Sequence, residues 1–190
     1  MKEKTNIKVI FTIPNILCYF RILLIPIFCY LYLNAKTNLD YFVSTLVVLI
    51  SSLTDLFDGM IARKFNQVTE LGKVLDPVAD KITHLALAIC ISIKYPLMWI
   101  LLILMVIKEG FMAIIGAYFL KKNKMMNGAM WYGKICTASL FIGLLVLFTF
   151  PNLALVAVNT IIIILMIIML FTFIMYIIFY LKMYQEIKEK

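Results

Sequence analysis

The chain has 190 residues, of which 64% are hydrophobic and 15% charged, with a net charge of +8. Soluble domains run at about 45–50% apolar and about 25% charged residues, so the composition excludes a soluble enzyme, a disordered segment and a nucleic-acid-binding module. The basic residues sit in short groups between apolar runs, which makes an anionic membrane surface the natural partner of the positive charge.

A bilayer core about 30 Å thick needs about 20 apolar residues per helix, and six segments meet or approach that length. Residues 1–13 alternate basic and apolar character and read as a short interfacial arm on the inner leaflet or as a frayed terminus. The first span is predicted over 14–33. It is long enough to cross, no small-x-small cleavage site follows it, and so it is not read as a signal peptide. It carries Arg21. Residues 34–40 lead to a second span over 41–63. The polar stretch 64–76 then reverses the chain into a third span over 77–93, with Gly72 placed in the turn and Pro77 at the helix start, where its missing N–H costs nothing. The fourth span, 96–120, contains Lys108 and Glu109. These neighbours point about 100° apart on a helix and are expected to pair indirectly at best. The fifth, 131–150, opens on Trp131 and Tyr132, which read as ordinary belt residues of the membrane interface. The last, 153–181, has no ionisable group except tyrosines and is assigned to lipid-facing packing or a homodimer surface. The expected fold class is therefore an all-α integral membrane protein of six transmembrane helices, with residues 1–190 as a single domain.

Lys and Arg in the flanks set the orientation. With the N-terminus inside, the inner flanks hold Lys2, Lys4, Lys8, Arg63, Lys64, Lys73, Lys121, Lys122, Lys124, Lys182, Lys188 and Lys190, and the outer flanks only Lys36 and Lys94. Both termini and the 64–76 loop are placed in the cytoplasm. Cys18, Cys29, Cys90 and Cys136 lie in apolar runs without C-x-x-C spacing and read as packing residues.

Charge inside a lipid-embedded chain is costly and usually functional, and four of the five aspartates fall between positions 55 and 80. Asp55 and Asp58 are three apart, Asp76 and Asp80 four apart, so each pair shares a helix face. Two antiparallel helices can bring these four carboxylates to one point near the cytoplasmic boundary, where they repel one another unless something positive is present. That charge comes either from protein cations (Arg63, Lys64, Lys73 or Lys81) or from metal ions. Hard oxygen ligands without His or Cys select Mg²⁺, Mn²⁺ or Ca²⁺, and the surplus of carboxylates fits a two-metal clamp for displacement at phosphorus, with one carboxylate left as general base. The competing reading is a structural ion-pair network. Gly59 and Ala62 allow close backbone approach, either of a ligand or of a neighbouring helix.

The run Asp55-x2-Asp58-Gly59-x2-Ala62-Arg63-x8-Gly72-x3-Asp76-x3-Asp80 places eight fixed residues over 26 positions. At every one of them it resembles the signature of the CDP-alcohol phosphatidyltransferases, and six spans also fit that family. The resemblance implies that a CDP-activated lipid, usually CDP-diacylglycerol, gives its phosphatidyl group to an alcohol with release of CMP. It implies two divalent cations, Mg²⁺ or Mn²⁺, held at the pyrophosphate by Asp55, Asp58, Asp76 and Asp80, with Asp80 taking the acceptor proton. Asp55, Gly59, Ala62, Arg63 and Gly72 would border the CDP moiety.

Residues 12–26, TIPNILCYFRILLIP, resemble the opening of the bacterial phosphatidylglycerophosphate synthase and cardiolipin synthase branches of that family. Gly133-Lys134-x2-Thr137 resembles their Gly-Lys-x-Lys-Thr segment. Cys136 stands where a Lys is usual, Leu140 where a Gln is usual, and Lys108-Glu109 where Arg-Glu or Arg-Asp is usual. This branch implies glycerol 3-phosphate as acceptor, with Arg21, Lys108 and Lys134 as candidate contacts to its phosphate; phosphatidylglycerol, serine and an inositol phosphate are the alternatives. The implied location is the plasma membrane with the site at its cytoplasmic face, since CDP is cytosolic. A cation transporter is a remote alternative that calls for carboxylates near the bilayer midplane, whereas these sit at the ends of their spans.

Overall fold

The computed structural model describes residues 12–64, 69–122 and 130–188. Within its helices the side chains of residues 56, 58, 59, 61–64, 70, 73, 74 and 186–188 lie outside the description. The described residues form six α-helices: α1 (Ile13–Asn34), α2 (Asn38–Lys64), α3 (Glu70–Lys94), α4 (Met98–Lys121), α5 (Trp131–Thr149) and α6 (Leu155–Lys188). Of these, α1, α4, α5 and α6 are long and apolar enough to cross a membrane, as in a multi-pass membrane protein. The other two carry the acidic motif. Large side chains such as Ile114 and Val156 are 71% and 78% exposed, an outward apolar surface that suits lipid rather than water.

Two boundaries differ from expectation. The third helix starts at Glu70, not at Pro77, so Gly72 and Pro77 are both inside α3. Pro77 lies beyond the first turn, where a missing N–H is free. The helix is nevertheless nucleated earlier, because Thr69 Oγ1 accepts a hydrogen bond from the Gly72 amide at 2.9 Å and caps the first turn. The sixth helix runs to Lys188, about two turns past its apolar stretch. At the start of α2 a capping box forms: Asp40 Oδ2 accepts from the Thr37 amide (2.8 Å) and Thr37 Oγ1 from the Asp40 amide (3.3 Å).

The chain divides into two compact units, one running through Cys90 and including Phe148–Pro151, the other holding Ile91–Leu147 and the residues from Asn152 onward. In the first, α1 buries Pro14, Asn15, Cys18, Arg21, Leu24, Ile25, Phe28 and Tyr32. Their three- and four-residue spacing makes one continuous face. Its lower half is apolar, with Tyr32 stacked on Phe148 at 4.1 Å and meeting Tyr41 edge-on at 5.2 Å. Its upper half is polar. Two hydroxyls inside α2 are satisfied locally, Thr45 donating to the Tyr41 carbonyl (2.9 Å) and Ser52 to that of Val48 (3.0 Å).

In the second unit Phe119, Tyr132, Tyr176 and Tyr180 form a buried aromatic cluster. Tyr132 is therefore a core residue and not an interface belt residue, while Trp131 beside it stays exposed. Gly133 explains the difference: a Cβ there would collide with the Tyr176 hydroxyl, so the glycine lets α5 approach α6 closely enough to enclose Tyr132. Lys108 and Glu109 also correct the sequence reading, because Nζ and Oε1 pair directly at 2.8 Å. Both side chains are long enough to reach around the helix.

Candidate active site

The first unit assembles its polar groups from three helices. Asn15, Cys18 and Arg21 recur every three residues along α1, so one face carries all three, and all three are buried. At the top, Asn15 Oδ1 accepts a hydrogen bond from Thr69 Oγ1 (3.3 Å), tying the start of α1 to the cap of α3. Gly72 makes this approach feasible: a Cβ at that position would lie 2.8 Å from Asn15 Oδ1 and 3.0 Å from Thr69 Oγ1.

Two turns down α1, Arg21 is 2% exposed. Its Nη2 forms an ion pair with Asp55 Oδ1 of α2 and another, at 3.2 Å, with Asp76 Oδ1 of α3. Cys18 Sγ stands 4.0 Å from the same Asp76 oxygen. Carboxylates from two helices thus converge on one nitrogen atom, as the spacing of the aspartates anticipates. The cation between them is Arg21, for which the resemblance implies a contact with the acceptor phosphate instead. The Asp55 and Asp76 side chains are 39% and 49% exposed, so the charges are open on one side and closed by the buried guanidinium on the other.

Asp80 lies one turn along α3 from Asp76, with its Oδ2 3.9 Å from His84 Nδ1. His84 is buried, so it approaches the carboxylate from the protein side. Asn15 belongs to the Pro-Asn of the N-terminal resemblance, whereas His84 was not singled out, although its i,i+4 spacing from Asp80 is visible in the sequence. Asp58, Gly59, Ala62 and Arg63 occupy the C-terminal part of α2, and their side chains lie outside the described ones. Lys108 and Lys134 belong to the second unit, Lys108 buried against Glu109 and Lys134 exposed near the start of α5.

Among the described residues no group of three or more His, Cys, Asp or Glu side chains is gathered closely enough to hold a metal, and Asp58 is not among those described. The two described carboxylates, from separate helices, are ion-paired to the Arg21 guanidinium, and their oxygens are of the hard kind that a divalent cation takes.

A family model for CDP-alcohol phosphatidyltransferases matches residues 11–184. The relatives include the CDP-diacylglycerol–glycerol-3-phosphate 3-phosphatidyltransferases of Escherichia coli K12 and Shigella flexneri serotype 5b. Each is 32% identical over 146 residues, covering 75% of this chain and 80% of the relative.

Proposed function

Because the chain belongs to the CDP-alcohol phosphatidyltransferase family, we propose that it transfers the phosphatidyl group of CDP-diacylglycerol to glycerol 3-phosphate, giving phosphatidylglycerophosphate and CMP in phospholipid biosynthesis. The donor and acceptor are those named for relatives that are 32% identical over three quarters of the chain. The observation that carries the chemistry is the meeting of Asp55 and Asp76 at one cation position inside the eight-residue motif.

Asp55, Asp58, Asp76 and Asp80 are the residues that would hold two divalent cations. Such ions, when bound, neutralise the pyrophosphate and stabilise charge on the attacking and leaving oxygens. The chain's own groups do the rest. Asp80 accepts the proton of the acceptor hydroxyl as that oxygen bonds to the β-phosphorus and the bond to the CMP oxygen breaks. His84, buried one turn along α3, stands beside the Asp80 carboxylate at 3.9 Å. Asp55, Gly59, Ala62, Arg63 and Gly72 border the nucleotide, Gly72 by holding the backbone of α3 close to α1. Arg21 keeps the Asp55 and Asp76 carboxylates together; Arg21, Lys108 and Lys134 are each candidate contacts for the acceptor phosphate.

The distribution of Lys and Arg supports six spans with both termini in the cytoplasm, including α2 and α3, and a site at the cytoplasmic face of the plasma membrane. The test is CMP release by purified protein with CDP-diacylglycerol, Mg²⁺ or Mn²⁺ and a panel of acceptors. Glycerol 3-phosphate should outpace phosphatidylglycerol, serine and inositol phosphate. A clear preference for one of the others would reassign the acceptor, and release with none of them would remove the enzyme assignment.

A further inference from the structure

Away from the carboxylates, the second unit holds a groove between the C-terminal halves of α4 and α6, with a volume of about 400 Å³ and no polar surface in its lining. Its floor is made by Phe119 and Tyr180, 3% and 6% exposed, whose rings stack with 5.6 Å between centroids and 10° between planes. Its rim is open: Tyr118, Leu181 and Tyr184 are all exposed. At the end of the groove, Lys121 and Lys122 finish α4, and Lys182 follows Leu181 in α6; all three lysines are exposed. Tyr118 lies three and four residues before Lys121 and Lys122, so rim and charge share a helix face.

The aromatic and aliphatic lining suits a hydrocarbon chain. A helix with its side chains is about 10–12 Å across, too broad for this volume, so a single flexible chain is the better fit. The three lysines place positive charge where such a chain would emerge, and basic residues beside an apolar membrane surface attract anionic head groups. We infer that the groove between α4 and α6 binds an anionic phospholipid of the surrounding bilayer, one acyl chain along Phe119 and Tyr180 and the head-group phosphate at Lys121, Lys122 and Lys182. The site involves none of the residues assigned to transfer, and it stands or falls independently of that reaction.

Native mass spectrometry of the full chain in detergent tests this, with phosphatidylglycerol and phosphatidylcholine of identical acyl chains as probes. The unsubstituted protein should retain one phosphatidylglycerol with about a tenfold preference over phosphatidylcholine. The triple variant Lys121→Gln/Lys122→Gln/Lys182→Gln should bring that preference close to unity. Ile115→Trp, which fills the groove, should lose the retained lipid while its thermal melt shows a folded protein; if it does not fold, the lysine variant decides alone. Equal retention of the two lipids by the unsubstituted protein, an unchanged preference in the lysine variant, or undiminished retention by a folded Ile115→Trp would overturn the inference. So would a lipid-free dimer that Ile115→Trp converts to monomer, since the groove would then belong to a second copy.

Discussion

A guanidinium that is almost wholly buried must have its charge compensated, and Arg21 takes that compensation from two half-exposed carboxylates on different helices. Any cation that coordinates Asp55 Oδ1 and Asp76 Oδ1 competes with Arg21 Nη2 for the same lone pairs. Arg21→Met should therefore raise Mn²⁺ affinity several-fold, read by electron paramagnetic resonance. It should also lower the melting temperature measured in chelator, because the carboxylates lose their resident counter-charge; added Mn²⁺ should restore it. At Asp80 the prediction separates chemistry from binding. Asp80→Asn should reduce CMP release by about 10²- to 10⁴-fold, the range of general base catalysis, a much larger loss than the fall in Mn²⁺ affinity from weakening one of four carboxylate ligands. Equal loss of both would make Asp80 a ligand alone. That an aspartate of α2 and one of α3 approach each other was legible from the placement of the motif on two helices joined by a reversing loop. Arg21's partner was not, because a contact between residues 55 apart in the chain depends on how three helices dock.

At the scale of elements, α3 shows why local signals failed. Gly72 reads as a turn residue and Pro77 as a helix start, yet both are inside the helix, which begins earlier at the Thr69 cap, with Asn15 packed against the space where a Gly72 side chain would be. Gly72→Ala should thus destabilise the fold by about 1–3 kcal/mol, the usual effect of overpacking, despite alanine's better helix propensity. In the double variant Asn15→Ala/Gly72→Ala, part of that loss should return, a non-additivity measurable by thermal melting. The cap of α2 supplies a pH prediction. The Lys36 and Thr37 amides hold the Asp40 carboxyl below the usual carboxylate range. A depressed folded-state pKa contributes stability above the ordinary carboxylate pKa and loses it as pH falls through the folded value. The acid side of a melting profile should accordingly be flatter in Asp40→Asn. Tyr132 is a further case in which position along a span misled, since whether a tyrosine at a helix start faces lipid or core was set by Gly133 and Tyr176.

For the whole molecule, the six helices were legible from the lengths of the apolar runs, and four of them are apolar enough to cross a membrane unaided. The spanning of α2 and α3, which carry the acidic motif, is argued from the flanking charges. With Lys36→Cys and Lys94→Cys, a membrane-impermeant thiol reagent added outside intact cells should label both positions, and Lys122→Cys only after permeabilisation; the reverse pattern would invert the topology. The central claim is most directly tested by identifying the lipid formed when purified protein is incubated with CDP-diacylglycerol, glycerol 3-phosphate and Mn²⁺. Mass spectrometry should find phosphatidylglycerophosphate equimolar with the CMP released. CMP without that lipid, or neither product, would contradict the assignment.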